Sequence, residues 1–131
     1  MTLYAPLSLG ELVDKITILE IKAEQIKDES KLRNVRHEFQ VLTDCLSKAL
    51  DASEVEALGS QKTSLGQINR ELWKIEDEVR ECERARNFGA DFIALARSVY
   101  FCNDRRAAIK KEINVQFGSD LVEEKSYKEY V

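Results

Sequence analysis

Arg106 interrupts an apolar series, Phe92, Leu95, Val99, Cys102, Arg106, Ile109 and Ile113, whose steps of three and four residues mark one face of a helix. A guanidinium on a core-facing stripe needs an anion beside it, because an unpaired buried charge is costly. Tyr100 shares a face with Asn103, and Asn103, Lys110 and Asn114 continue that face at helical spacing. Two kinds of chemistry fit a polar stripe of this kind. One is an internal ion-pair network with carboxylates such as Glu76 or Asp77. The other is a pocket between helices that takes a small anionic molecule. The candidate group is Asp14, Lys15, Glu76, Asp77, Tyr100, Asn103, Arg106 and Lys110. The network is the favoured reading of the two, since purely structural ion pairs produce the same pattern.

Other reactive residues carry less. Glu11 and Asp14, Glu20 and Glu24, and Glu78 and Glu81 lie three or four apart, a spacing that puts two carboxylates on one helix face where they can hold Mg²⁺. The all-α nucleotide pyrophosphohydrolases use paired acidic helix motifs of that sort. Here Lys15, Lys22 and Arg80 stand beside the acids, so solvated faces laced with ion pairs are expected and no metal site is assigned. His37 is the only histidine, which excludes a histidine-rich metal site and the paired Glu-x-x-His motifs of di-iron bundles. Cys82 and Cys102 fall on apolar stripes as small core residues, and Cys45 is the thiol expected at the surface. Trp73 is expected at the edge of the core.

The bulk numbers narrow the classes further. With 131 residues, 44% hydrophobic and 34% charged, the chain is expected to fold as one domain, 1–131, with its own core. The net charge of −4 argues against nucleic acid and anionic membranes as partners. Three cysteines without close spacing form neither a disulfide framework nor a zinc motif. No signal peptide and no membrane-length apolar run is visible, so a reducing cytoplasm is the expected location. No cofactor motif is present, and none is expected.

The elements that must position these residues are helices. One proline and five glycines leave long uninterrupted periods. The first helix is expected over 9–27, capped by Ser8 with Glu11 completing a capping box. The second is expected over 31–50 with Ser30 as its cap. The third reaches from a Ser53 cap to Arg86, with Gly59 and Gly66 weakening or breaking residues 54–66. The fourth covers 90–117 and ends at Gly118. Short links between such helices favour antiparallel neighbours. The fold expected is therefore all-α, an antiparallel bundle of about four long helices with a short tail, 119–131. That tail is open to three forms: a strap, a short helix or a mobile end.

The first helix carries a second apolar face. Ile18 and Ile21 point away from Ile16 and Leu19. A helix apolar on two sides is either central in its own fold or covered by a partner. The plainer expectation is burial by the chain's own tail, and the sharper one is a homodimer with Ile18 and Ile21 in its interface.

Four segments, 10–22 (GELVDKITILEIK), 72–77 (LWKIED), 103–107 (NDRRA) and 123–127 (EEKSY), resemble an uncharacterised family of short bacterial and phage proteins with no assigned activity. The resemblance covers nearly the whole chain and implies an all-α fold. The first helix also resembles that of the all-α chorismate mutases, which clamp a dicarboxylate with arginine and lysine. No arginine precedes Arg33 here, so Lys15 or Lys22 would have to replace it without the bidentate fork. The function is left open. A non-enzymatic helical interaction module that self-associates is preferred. The alternative is a small enzyme or binding protein for an anionic metabolite, such as a sugar nucleotide, a nucleotide or a dicarboxylate.

Overall fold

The computed structural model describes residues 1–131 and contains four helices, α1 (Leu9–Gln25), α2 (Glu29–Ala49), α3 (Ala52–Arg84) and α4 (Ala90–Gln116). The protein is an all-α bundle with no strand. α1 is its central member. α2, α3 and α4 each pack on α1, α3 and α4 also pack on each other, and α2 has α1 as its helical neighbour. Leu12, Val13 and Ile16 of α1 form the core with Leu46 of α2, Leu58 and Leu65 of α3, and Ile113 of α4. Each of these seven lies on the apolar face of its helix, and their burial drives the assembly.

The helix ends follow the strongest local acceptor. Ser8 caps α1 and accepts the Glu11 amide. α2 starts two residues earlier than the sequence suggests, because the Asp28 carboxylate, not the Ser30 hydroxyl, takes the Ser30 and Lys31 amides. The same preference moves the start of α3. Asp51, not Ser53, forms the capping box, with Glu54 returning the bond. α3 then runs unbroken through Gly59 and Gly66. Leu58 and Leu65 are buried beside them, and that packing outweighs the roughly 1 kcal/mol that each glycine costs in a helix.

α3 and α4 end alike. At α4, Gly118 takes the left-handed conformation (φ 64°), and Ser119 N–H reaches back to the Asn114 carbonyl. At α3, Arg86 takes that position (φ 53°), and Asn87 N–H reaches the Cys82 carbonyl. A side chain in this conformation costs roughly 1 kcal/mol that glycine avoids. Arg86→Gly is therefore expected to raise stability by about 1 kcal/mol, read as a higher urea midpoint with an unchanged slope.

Beyond the reach of α1, α3 and α4 continue together as a two-helix arm. From Glu71 onward, the side-chain bonds of α3 go to α4 or stay within α3. Between Asn69 and Cys102 only Cys82 is buried. Leu72, Trp73, Ile75, Val79, Phe92, Leu95 and Val99 are half-buried, and Ile93 is 56% exposed. Two helices alone cannot enclose two apolar stripes, so the arm keeps part of its stripe in water. The tail, 119–131, is an extended strap along α4 without regular structure. Lys111 holds Glu124 at 2.8 Å, and the Tyr130 hydroxyl donates to Asp104.

Candidate functional site

α1 and α4 run antiparallel, so the acids three residues apart on α1 meet the bases four residues apart on α4. Arg106 grips Asp14 with two parallel bonds, Nε to Oδ1 at 2.9 Å and Nη2 to Oδ2 at 2.5 Å. Such a fork on a carboxylate is the strongest arrangement an arginine can make. Lys110 Nζ donates to Glu11 at 2.6 Å and lies 3.7 Å from Asp14 and 3.5 Å from Glu123. Asp14 is fully buried. Asn69 Nδ2 completes its shell with bonds of 2.9 Å to Asp14 Oδ1 and to the Thr17 hydroxyl.

Burial works against the charge on Asp14 and tends to raise its pKa. The Arg106 fork, the Asn69 amide and the nearby Lys110 outweigh it and hold the carboxyl below its ordinary value. Arg106 shifts upward for the reciprocal reason, its bonds to Asp14. One turn further along, the Gly10 amide donates to Asn114 Oδ1 at 2.6 Å. Gly10 lies so close to α4 that a Cβ there would collide with the Lys110 carbonyl oxygen. The node is thus a buried clamp that fixes α1 against α4.

Of the eight residues singled out in the sequence, the structure unites Asp14, Asn103, Arg106 and Lys110. Asn103 sits beside the guanidinium, accepting from Nη1 at 3.4 Å. Glu76 and Asp77, expected to pair with Arg106, do not hold it. Glu76 binds Arg80 one turn along its own helix, and Asp14 takes the guanidinium. Both acids line a groove of about 550 Å³ that also touches Arg106. Lys15 stays at the surface, 3.9 Å from Glu11. Tyr100 lines a cleft that Asn103, Arg106 and Lys110 also line, described below. Ile21 is buried within the single chain and Ile18 is half-buried; both line the 550 Å³ groove with Leu72 and Trp73. Asp14 departs from the solvated face expected of its acidic pair. The other acidic pairs are taken up by bases: Glu20 by Lys62, Glu24 by Arg70, Glu78 by Lys74 and Glu81 by Arg84.

Gly10, Asn69, Thr17, Lys125 and Lys128 carry no site signal in the sequence. Helical spacing reports which side chains share a face, not which helix crosses it. A short acid–base match, Glu11 and Asp14 against Lys110 and Arg106, was the one signal that could have paired α1 with α4.

The Arg106 fork leaves Nη1 facing outward. Arg106 also lines an open cleft of about 680 Å³ between α4 and the tail strap. Arg106, Lys110, Lys125 and Lys128 bring positive charge to it, and Tyr100, Tyr127 and Tyr130 supply its rings. Lys125 is held at 2.6 Å by Glu123.

Fold and site together define a four-helix protein with a buried ion-pair clamp beneath a basic, tyrosine-lined cleft. The chain belongs to the DUF6165 family, a family of unknown function, whose model matches residues 4–131. Neither a curated protein nor a solved structure matches the chain. No helix is long and apolar enough to cross a membrane.

Proposed function

We propose that this protein is a helical interaction module whose first partner is a second copy of itself, docked through the α3–α4 arm. The observation that carries the reading is surface area. The chain exposes 9320 Å², roughly 2,300 Å² more than the about 7,000 Å² of a compact folded monomer of this mass. An obligate dimer interface buries roughly 2,000–5,000 Å² over both partners, so the excess on each copy is large enough to supply one. The exposed chain ends contribute part of it. On the arm, Phe88 is 50% and Ile93 56% exposed above a stripe that is only half-covered.

A second copy is the occupant that this face fits best. Each copy carries the same unfinished two-helix layer, and a twofold axis lays one arm across the other to complete a four-helix layer. A groove at the base of the arm is lined by Ile18, Ile21, Leu72 and Trp73.

Ile93 is exposed, so a charge there leaves the single chain intact while opposing burial in an interface. The thermal midpoint of the unaltered protein is expected to rise with protein concentration. Ile93→Lys is expected to abolish that dependence and to keep the helical circular dichroism. A midpoint independent of concentration in the unaltered protein overturns the reading.

A further inference from the structure

We infer that the cleft between α4 and the tail strap is a binding site for a nucleoside diphosphate, its phosphates on the basic end and its base on the tyrosines. The site lies within one chain and stands whether or not two copies pair.

The cleft holds hydrogen-bond donors left uncommitted. Around Asp14 the charges are spent: Arg106 gives Nε and Nη2 to that carboxylate, and Lys110 is divided among Glu11, Asp14 and Glu123. Of the other groups that line the cleft, Lys125 is held by Glu123 and Asp104 accepts from Tyr130, and the rest are not spent. Arg106 Nη1 has only the long 3.4 Å contact with Asn103. Lys128 makes no ion pair, and the Tyr100 and Tyr127 hydroxyls make no hydrogen bond within the chain, although all three line the cleft. A guanidinium edge held rigid from behind is pre-organised for a phosphate oxygen, because its conformational entropy is already lost. The buried Asp14 thus serves as the positioning residue for the cationic floor.

Shape separates the two ends. Tyr100 and Lys110 are ten residues apart on α4, about 15 Å along the axis. Tyr100 and Tyr130 pack with ring centroids 5.4 Å apart at the aromatic end, beside the apolar Val99. Lys110 and Lys125 mark the other end, where both share Glu123 and a phosphate competes with that carboxylate for them. A planar heterocycle stacks on tyrosine, and two linked phosphates need several cations within reach. A bare phosphate leaves the rings unused, and an uncharged nucleoside leaves the lysines unused. The 680 Å³ volume is that of a small-molecule site. In a chain of net charge −4 the cleft lining carries three lysines and an arginine against the one carboxylate of Asp104, an excess that attracts anions against the average field.

The test is calorimetric titration of the full chain with ADP, with inorganic pyrophosphate and adenosine as half-ligands. ADP is expected to bind at least about tenfold more tightly than either half. Lys128→Ala is expected to weaken ADP and pyrophosphate alike by about tenfold. Tyr127→Ala is expected to weaken ADP and leave pyrophosphate unchanged. Both residues are exposed on the strap, so both variants keep the fold. Absence of ADP binding up to about 1 mM overturns the proposal. Pyrophosphate binding as tight as ADP, or ADP binding indifferent to both substitutions, overturns it equally.

Discussion

Replacing Asp14 with alanine is expected to cost about 3 kcal/mol of stability, the scale of breaking one side of a buried ion pair. Three groups lose their partner together. Arg106 loses both bonds of its fork, Asn69 loses one of its two acceptors, and Lys110 loses a neighbouring charge. Arg106 is part-exposed and recovers some hydration, which keeps the cost at the lower end of that scale. Arg80→Ala provides the contrast. Its pair with Glu76 is exposed and lies within one helix, so its loss is expected to change stability by less than about 0.5 kcal/mol. Urea unfolding of both variants at neutral pH checks the difference.

The same clamp makes stability depend on pH with a defined sign. The folded pKa of Asp14 lies below the ordinary 3.8. Its contribution is therefore complete above that ordinary value and is lost as pH falls through the depressed folded value. The stability gap between the unaltered protein and Asp14→Asn is expected to be constant from neutral pH down to about 4. Below that it should narrow. A gap that instead widened on acidification would mean that Asp14 is not held as an anion.

Gly10→Ala is expected to destabilise the protein by about 3 kcal/mol, the upper range for forcing atoms into a packed contact. Helix propensity alone predicts the opposite sign, since alanine is about 1 kcal/mol better than glycine within a helix. The contact decides. The obstacle is the Lys110 carbonyl oxygen, a backbone atom that cannot rotate aside, with Asn114 Oδ1 only 3.0 Å from the same Cβ position. α1 and α4 must part to admit the methyl group. That strains the Gly10–Asn114 bond and shifts Glu11 away from Lys110. A stabilised Gly10→Ala protein would show that the two helices do not approach this closely.

The architecture was legible in the sequence because each stripe was continuous. Leu12, Ile16, Leu46, Leu65 and Ile113, picked out by steps of three and four, all lie in the core. The central place of α1 was foreshadowed by its two apolar faces, and Ile21 is indeed buried inside the fold. The exposed Cys45 and the buried Cys82 and Cys102 also lie where their neighbours imply. Periodicity could not reveal the crossing partner of Arg106, since Glu76, Asp77 and Asp14 are equally good anions on paper. Only the antiparallel register of α1 and α4 selects Asp14.

Caps were misplaced for a local reason. At both the α2 and α3 starts a carboxylate and a hydroxyl compete within two residues, and the ionised acceptor wins the amides. Gly10 carried no one-dimensional signal, because its role is a distance between two helices. The strap, one of the three forms open to the tail, had no pattern to single it out. It has no apolar period, and side-chain bonds such as Lys111 to Glu124 and Tyr130 to Asp104 tie it to α4.

The central claim is that the α3–α4 arm is one half of a layer which a second copy completes. Sedimentation equilibrium of the unaltered protein tests it most directly. A mass twice that of the 15.0 kDa chain is expected at micromolar concentration. A mass of one chain, unchanged as concentration rises, would contradict it.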